Sequence, residues 1–430
     1  MISKKRSFLP AILITGVILF SAENTEAVME QAAVVSLPGP GIAISQRDSD
    51  EYSPDIAYNT AHDEYLVVWE NVWANGGHHD IYAQRIAGDG RLQSWFAVSS
   101  GSNKQKEPSV AYDPIHDRYL VVFLYDVSGT GTDWDVHGRL IPWEGPSAGL
   151  TDFPICSFAS NQGHPVAAFA YAQQEFLVAW INFPSGQPSY LSARRIFSDG
   201  SGFPSGPFVV SSGLENRDFP DLTYNPIRNE YLLVWDVLKA GTAVDIYGIR
   251  LSGTGSVLTG GTPPVAAEFP IAGWPAIEEK PAVATCASYD QYLVAWQSDQ
   301  STGNYAIYAR HLNGVAALGG VYRIADTAAD QLNVDVTCNG GGLRYLLAWQ
   351  DRYVGGEYGI WGRQVYPSEN MDADFEIYGP RSAADRQYPA VAGGGVSYLV
   401  AWEHDRDGGT NLDIYGRLLR FAAFLPAVIR

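Results

Sequence analysis

One run of apolar residues occurs seven times along the chain, and the rest of the sequence is arranged around it. The first copy, Tyr65 to Trp69, reads YLVVW. The later copies start at Tyr119, Phe176, Tyr231, Tyr292, Tyr345 and Tyr398, with spacings of 54, 57, 55, 61, 53 and 53 residues. Because a regular period of this length is typical of repeat architectures, we interpret the chain as seven copies of one structural unit.

Each unit contains four short segments with the pattern of β-strands. The first segment opens with a proline, which suits the first residue of a strand because no ladder hydrogen bond is required of it. These prolines are Pro54, Pro108, Pro165, Pro220, Pro281 and Pro389, and Asn333 is aligned with them in the sixth unit. A turn rich in Asn, Asp and Pro leads to the YLVVW segment, whose apolar residues at nearly every position indicate burial on both faces. The third and fourth segments follow the examples of Asp80 to Arg85 (DIYAQR) and Phe96 to Ser100 (FAVSS).

Four strands in each of seven units, without helical periodicity, predict an all-β fold. The architecture that fits is a seven-bladed β-propeller with four antiparallel strands in each blade. A string of separate small β-domains is disfavoured, because a unit of about 55 residues buries little core by itself. The propeller is expected over residues 41–418, with units starting near positions 54, 108, 165, 220, 281, 333 and 389.

The last unit has three strand segments and lacks the fourth. Residues 41–46 (GIAISQ) have the register of a fourth segment, so we predict that Ile42 to Ser45 pairs beside Asp413 to Arg417 and closes the last blade. The alternative is that Phe424 to Ile429 takes this place, although Pro426 cannot donate a ladder hydrogen bond. Residues 28–40 are then an N-terminal lead-in and residues 419–430 a C-terminal tail.

The first 27 residues have the pattern of a secretory signal peptide. Lys4, Lys5 and Arg6 precede an apolar run from Phe8 to Phe20, which is too short to span a bilayer. We therefore expect a secreted or extracytoplasmic protein with no membrane span after cleavage of the signal peptide. Attachment to the cell surface is one alternative within this interpretation.

The charge of the chain disfavours one class of partner. It carries 28 basic and 47 acidic residues, a net charge of −19. Because an acidic surface repels the phosphate backbone, we expect no nucleic acid partner. The partner expected instead is an extracellular glycan or protein of unknown identity, bound by a monomeric chain.

The three cysteines leave one question open. Cys286 and Cys338 follow Ala-Thr and Val-Thr in successive units, which suggests the same register, and a disulfide between them is one alternative. Burial as small apolar side chains is favoured, because cysteine is commonly buried. Cys156 stands apart, and no cysteine has the spacing of a metal site.

Polar loops between the second and third segments supply the candidate site. In a propeller these loops share one face with the links between blades, and here they contain carboxylates beside aromatic rings. The candidate ligand-binding residues are Glu70, Trp73, Asp126, Trp134, Asp236, Asp351, Tyr353 and Glu403. Rings that stack on sugars and acids that act in pairs are the chemistry of sugar binding or glycoside cleavage. The alternative is that the loops are polar because they face water.

One loop loosely resembles a Ca²⁺ site. In the segment from His404 to Asp413, oxygen-bearing side chains alternate around a glycine turn, although the terminal Glu of a complete Ca²⁺ loop is missing. The candidate metal ligands are Asp405, Asp407, Asn411 and Asp413. Apart from Ca²⁺, no cofactor is expected.

The repeat resembles one found in large exported bacterial proteins of adhesin-like or surface type. That repeat has the form G-x-F-V-V-x-W, a polar loop, G-I-Y-G/A-Q-R and a strand of the type E-F-x-V-N, and Tyr65 to Trp69 with Asp80 to Arg85 and Phe96 to Ser100 is similar to one unit of it. The resemblance covers the mature chain except its last dozen residues. It implies a β-propeller at the cell exterior and assigns no activity.

Two functions are therefore weighed. The first is an exported, non-enzymatic binding or adhesion scaffold that uses the loops on one propeller face. This function is favoured by the expected export, by the repeats and by the lack of a G-x-S-x-G nucleophile pattern. The alternative is a carbohydrate-active enzyme, a glycoside hydrolase or lyase, with loop carboxylates as acid and base. No catalytic residue is assigned.

Overall fold

The structure is a seven-bladed β-propeller built from four-stranded antiparallel sheets. It is a computed structural model that describes residues 34–36, 41–73, 77–146, 151–239, 243–259, 267–299, 303–325, 327–339, 344–353, 356–379, 386–405 and 411–421. Within these ranges the helical content is one 3₁₀ turn, Ala287–Tyr289. The predicted fold class is confirmed.

The blades follow one another in chain order, and each blade runs from an inner strand at the channel to an outer strand at the rim. Blade 1 contains β3 (Ser49–Asn59), β4 (Glu64–Trp73), β5 (His79–Ala87) and β6 (Leu92–Ser99). Blade 2 contains β7 (Gln105–Asp113), β8 (Arg118–Asp126), β9 (Trp134–Pro142) and β10 (Phe153–Pro154). Blade 3 contains β11 (Asn161–Ala170), β12 (Glu175–Phe183), β13 (Tyr190–Phe197) and β14 (Phe208–Ser211). Blade 4 contains β15 (Asn216–Asn225), β16 (Glu230–Leu238), β17 (Val244–Ser252) and β18 (Glu268–Ala272).

The remaining blades repeat this order. Blade 5 contains β19 (Glu278–Cys286), β20 (Gln291–Ser298), β21 (Ala306–Asn313) and β22 (Leu318–Ala325). Blade 6 contains β23 (Gln331–Cys338), β24 (Tyr345–Arg352), β25 (Tyr358–Val365) and β26 (Phe375–Tyr378). Blade 7 contains β27 (Arg386–Gly393), β28 (Ser397–Asp405) and β29 (Leu412–Phe421), with β1 (Val34–Ser36) and β2 (Ile42–Ser45) along its outer edge.

The second strand of each blade forms the core, as its continuous apolar pattern predicted. Its side chains are buried on both faces because the sheet is packed between two neighbouring blades. In blade 2 the corresponding residue is Phe123. Each of the other six second strands carries a tryptophan that is fully buried at the interface between blades: Trp69, Trp180, Trp235, Trp296, Trp349 and Trp402.

The inner strands begin earlier than the prolines suggested. In blade 1, β3 starts at Ser49, and its pairing with β4 shifts register between Tyr52 and Asp55. The same shift recurs at the corresponding place in all seven blades. The proline therefore lies within a β-bulge of the strand, where the ladder is already interrupted and its missing N–H is not needed.

The alignment of the sixth unit was wrong by one residue. Asp335 pairs with Ala348 just as Asp55 pairs with Val68, so Val334 holds the place of the proline and Asn333 precedes it. Cys338 consequently lies one position earlier in its strand than Cys286 does, because Cys338 is opposite Tyr345 whereas Cys286 is opposite Gln291.

The favoured interpretation of these two cysteines was also wrong. Cys286 and Cys338 form a disulfide, with their Cα atoms 5.4 Å apart. They terminate β19 and β23, the inner strands of blades 5 and 6, so the bond joins two neighbouring blades at one end of the channel. Cys156 is a buried free thiol.

The ring closes with the N-terminal strand, as predicted. β2 pairs antiparallel with β29, with Ile42 opposite Gly416 and Ala43 opposite Tyr415. The closure is longer than expected: β1 pairs with the far end of β29, so that Val34 is opposite Phe421. Part of the predicted lead-in and the first residues of the predicted tail are therefore ordered in one sheet. The alternative closing segment from Phe424 to Ile429 lies outside the described residues.

Among the residues that the structure describes, no helix has the length and apolar character needed to cross a membrane.

Candidate functional site

The bulges place one side chain from every blade at the mouth of the central channel. We call these seven residues the axial ring: Ser53, Glu107, His164, Phe219, Lys280, Asn333 and Tyr388. All seven are non-glycine residues with φ between 44° and 52°, in the left-handed region. Such a conformation costs of order 1–3 kcal/mol per residue and persists only where the surrounding structure holds it.

Side chains accept the amide N–H of every residue in the axial ring. Ser53 donates to Glu403 at 2.8 Å and Lys280 donates to Asp236 at 3.3 Å, in each case across the boundary between two blades. In the other five pairs, the residue named first donates its amide N–H and the residue named second accepts it with its side chain: Glu107 and Glu70, His164 and Glu107, Phe219 and Asp218, Asn333 and Gln297, and Tyr388 and Gln350. These bonds hold the strained bulges in place and so fix the direction of the ring side chains.

The axial ring surrounds a funnel of about 350 Å³. The six prolines and Val334 form its wall behind the ring, together with residues that follow them on the inner strands. Its size lies at the small end of the range for ligand sites. The other end of the channel holds a cavity of about 500 Å³ whose described lining contains no charged side chain. Of these two cavities, the funnel is therefore the one with charged side chains in its described lining.

Three aspartates in the wall of the funnel, Asp55, Asp221 and Asp335, fasten neighbouring blades to each other. Asp55 accepts the amide of the next residue and that of Val110 in blade 2, both at 2.8 Å. Asp221 and Asp335 accept equivalent pairs of amides. Burial raises the pKa of Asp221 to about 6. These carboxyl groups are fully engaged by backbone donors and act as structural links.

One side of the axial ring is cationic and aromatic. The Lys280 ammonium lies 2.9 Å from the Asn333 side-chain oxygen. It also lies 5.4 Å from the centre of the Phe219 ring and 5.7 Å from that of Tyr388. Burial lowers the pKa of Lys280, against the opposing influence of Glu279 and Asp236. The Tyr388 side chain is 45% exposed, so its ring is open to a ligand.

On another side of the ring His164 stands between two carboxylates. Its two ring nitrogens are each 3.3 Å from an oxygen, one of Glu107 and one of Asp218. Lys106 adds an ion pair of 2.9 Å to Glu107. Burial works against ionisation of Glu107, but His164 and Lys106 outweigh it and hold its pKa below the ordinary value. The acidic groups of this side therefore already have side-chain partners in His164 and Lys106.

Three of the sequence-predicted residues lie beside the funnel and support it. Glu70, Asp236 and Glu403 are buried and accept amides of the axial ring. Glu70 also contacts His79 at 2.6 Å. Burial raises the pKa of Asp236 and that of Glu403 to about 7.

The other five predicted residues lie in three blades and make local contacts there. Trp73 donates to Asp80 at 2.8 Å in blade 1. In blade 2, Asp126 accepts the amide of Gly131 at 2.6 Å, while Trp134 donates to the carbonyl of the same glycine. In blade 6, Asp351 accepts Thr327 at 3.2 Å, and Tyr353 donates to Glu376 at 2.8 Å. These contacts shape the hairpins, and a ligand role for the eight residues stays a prediction.

The candidate Ca²⁺ loop is described in part. Asp405 and Asp413 are buried near the paired ends of β28 and β29, and Asn411 is half-buried. Asp407 lies outside the described residues. Within the described part of the chain, no group of three or more His, Cys, Asp or Glu side chains could hold a metal ion. Calcium binding here stays a prediction.

Sequence reasoning missed the axial ring, although a signal for it was present. Each ring residue directly precedes the repeated proline, or Val334 in blade 6, and the residue types at this position differ from unit to unit. A position that varies freely inside a strict repeat indicates a side chain that does not serve the shared core.

Comparisons with known proteins agree with the fold. No family model matches the chain, and no curated protein matches its sequence. Among solved structures, the polysaccharide lyase Uly1 is similar with a TM-score of 0.52 and 10% identity, over 92% of this chain and 94% of that one. The β-propeller domain of the Trilobed protease from Pyrococcus furiosus gives a TM-score of 0.51 at 9% identity, over 86% and 96%. An acylaminoacyl peptidase in complex with a chloromethyl ketone gives 0.50 at 9% identity, over 87% of this chain and 52% of that one.

The sheet topology defines the class of protein, a seven-bladed β-propeller, and these likenesses agree with that fold. They carry no activity, because one fold supports many unrelated functions. The propeller domain of the Trilobed protease is described as having an open velcro topology. The present chain instead closes its ring with β2 on β29.

Proposed function

We propose that this chain is an exported, non-enzymatic binding protein that captures a small polar ligand, the end of a glycan, in the funnel. The observation that carries the proposal is the axial ring, in which every blade contributes one side chain of different chemistry to a single cavity. A site assembled in this way is asymmetric within a repetitive scaffold, as recognition of one defined ligand requires.

The chemistry of the ring supports a carbohydrate. Phe219 and Tyr388 offer ring faces, on which the apolar faces of sugars stack, while Asn333 and Lys280 offer hydrogen-bonding groups. A few polar groups among apolar and aromatic surfaces are the usual composition of a small-ligand site. The modest volume favours one end of a glycan over a long stretch of chain.

The hydrogen bonding of the acids supports binding without cleavage. Glu107 and Asp218 both face His164, and the three wall aspartates each accept two backbone amides. A hydrolase needs a pair of carboxyl groups free to exchange protons with the substrate and water. The described carboxyl groups of the funnel are instead committed to the scaffold.

The disulfide supports an extracytoplasmic location. Disulfides persist in oxidising compartments and are rare in the reducing cytosol. The Cys286–Cys338 bond joins blades 5 and 6, so an exported propeller would gain stability from it.

A second candidate, a carbohydrate-active enzyme, has one observation in its favour. Asp236 and Glu403 have a pKa of about 7, raised by burial, so each is partly protonated at neutral pH. This is the state that a general acid requires. Both carboxyl groups are nevertheless buried beneath the axial ring, which makes this the weaker candidate.

A glycan array followed by calorimetry on residues 28–430 tests the proposal. We expect specific glycan binding that Tyr388→Asn weakens at least tenfold without lowering the melting temperature, because asparagine tolerates the left-handed conformation. The control is Trp95→Ala, which removes a 57% exposed ring on the outer strand of blade 1.

The two candidates give different results. Unchanged glycans recovered by mass spectrometry after incubation support a binding protein, whereas shortened or unsaturated products support the enzyme. Glycan binding that Tyr388→Asn leaves intact while Trp95→Ala removes it would overturn the funnel as the site.

A further inference from the structure

We infer that the ligand of the funnel is an acidic carbohydrate, whose carboxylate pairs with Lys280 while its ring lies against Tyr388 and Phe219. The inference rests on the proposed function and deepens it by naming the class of glycan. It is drawn from the surroundings of one lysine.

Lys280 differs from Lys106 and Lys239, which both have an acidic partner. Lys106 pairs with Glu107 at 2.9 Å, and Lys239 pairs with Glu215 at 3.0 Å. Within the part of the chain that the structure describes, no carboxylate oxygen lies within 4.0 Å of the Lys280 ammonium, whose polar contact is the neutral Asn333 side chain. In a chain of net charge −19, a half-buried cation without an acidic partner leaves its charge for a ligand to neutralise.

The nearest acids are engaged by other groups. Asp236 accepts the backbone amide of Lys280 at 3.3 Å, and Glu279 accepts the Gln297 side chain at 2.8 Å. Both act on Lys280 only at longer range. The position next to the ammonium that an anion would take is therefore not filled by these side chains.

The neighbours of Lys280 indicate what carries the anion. Phe219 and Asn333 flank Lys280 in the ring order and Tyr388 follows Asn333, and the ring centres of Phe219 and Tyr388 lie within 6 Å of the ammonium. Asn333 offers an amide that can exchange hydrogen bonds with hydroxyl groups. Aromatic faces, hydroxyl partners and one cation together fit a sugar ring that bears a carboxylate, and a simple inorganic anion would leave the aromatic faces unused.

Lys239 offers a matched control. Its ammonium lies 4.3 Å from the centre of the Tyr247 ring, so it has a similar aromatic neighbour, but it is paired with Glu215 in blade 4. A lysine that already has its counter-ion is not expected to bind an anionic ligand.

Calorimetry with matched sugars tests the inference. The probes are digalacturonate and its neutral counterpart digalactose, with sodium acetate and glutamate as carboxylates that lack a sugar ring. Wild-type protein is expected to bind digalacturonate at least tenfold more tightly than digalactose. Lys280→Met should remove that preference, Lys280→Arg should retain part of it, and Lys239→Met should behave as wild type. Thermal melts of each variant verify that the fold is intact.

The results separate this inference from the proposed function. If sugars bind but charge makes no difference, or if the preference survives Lys280→Met, the inference is wrong and the binding function stands. If glutamate or acetate binds as tightly as digalacturonate, the assignment to carbohydrate is wrong. If the glycan array and both disaccharides show no binding at all, the proposed function fails, and the inference fails with it.

Discussion

At the scale of single residues, the structure gives the acidic side chains a different task from the one that their positions suggested. Glu403 and Asp236 follow the core tryptophans and were expected on a ligand-binding face. They are buried and accept the strained amides of Ser53 and Lys280 in the next blade. Gln297 and Gln350 do the same at the equivalent positions of blades 5 and 6, so the role requires an oxygen acceptor and no charge.

This equivalence leads to a prediction about pH. Burial raises the pKa of Glu403 from 4.5 to about 7. Because the folded-state pKa lies above the unfolded one, the contribution of this group to stability is full below about pH 4.5 and is lost as the pH rises to about 7. Residue 403 cannot titrate in Glu403→Gln. The free energy of unfolding of this variant, minus that of wild type, should therefore rise by an amount on the order of 3 kcal/mol as the pH is raised from 4.5 to 8.

Chemical denaturation of both proteins at pH 4.5, 6 and 8 measures this difference. Glu403→Ala serves as the companion variant, because it removes the acceptor altogether and should be destabilising at every pH. A difference in the free energy of unfolding between Glu403→Gln and wild type that stays constant over this pH range would contradict the elevated pKa of the buried Glu403.

At the scale of elements, the β-bulge of the inner strand connects the fold to the site. Without the bulge, the side chains of the inner strand would alternate regularly between its two faces. The bulge is the backbone feature that places one side chain of every blade at the channel mouth. The bulge costs local strain, which the side-chain acceptors offset. Seven copies of one structural device therefore present seven different side chains.

The disulfide between two inner strands gives the second prediction. Replacing Cys286 and Cys338 by serine should lower the free energy of unfolding by about 2–4 kcal/mol, because the bond closes a long loop in the unfolded chain. Denaturation with and without reductant measures the loss. Reductant should destabilise wild type to the level of the double variant and leave that variant unaffected, and a wild type indifferent to reductant would contradict the bond.

At the scale of the whole molecule, closure of the ring joins the two ends of the described chain in one sheet. β29 is covered by β2 over Ile414 to Gly416 and by β1 over Leu419 to Phe421. Blade 7 would otherwise expose the edge of β29, and its contact with blade 1 would lose the apolar side chains of Ile42 and Ile44. An open edge of this kind is also a site for association with other chains.

Truncation tests this closure. Deleting residues 28–46 should lower the melting temperature far more than deleting residues 422–430, because the first deletion removes β1 and β2, which complete blade 7. Thermal melts of both variants beside residues 28–430 provide the measurement. Equal effects, or a larger loss from the C-terminal deletion, would contradict the closure by β1 and β2.

The sequence by itself determined the repeat, the strands, the number of blades and the closing role of Ile42 to Ser45. These features depend on apolar residues at short, regular spacing, and such a pattern specifies local structure and the faces that must be buried. The six core tryptophans and Phe123 follow directly from it.

Only the tertiary structure decided how the polar residues are used. The axial ring joins residues that lie about 55 positions apart in the chain, and a left-handed bulge that hydrophobic periodicity does not encode turns them toward the channel. The one-residue offset of blade 6 was likewise visible only from strand pairing, and the disulfide depended on two strand ends lying 5.4 Å apart. Contacts between distant units are set by how the blades pack, which is why the sequence identified the carboxylates and the structure assigned their partners.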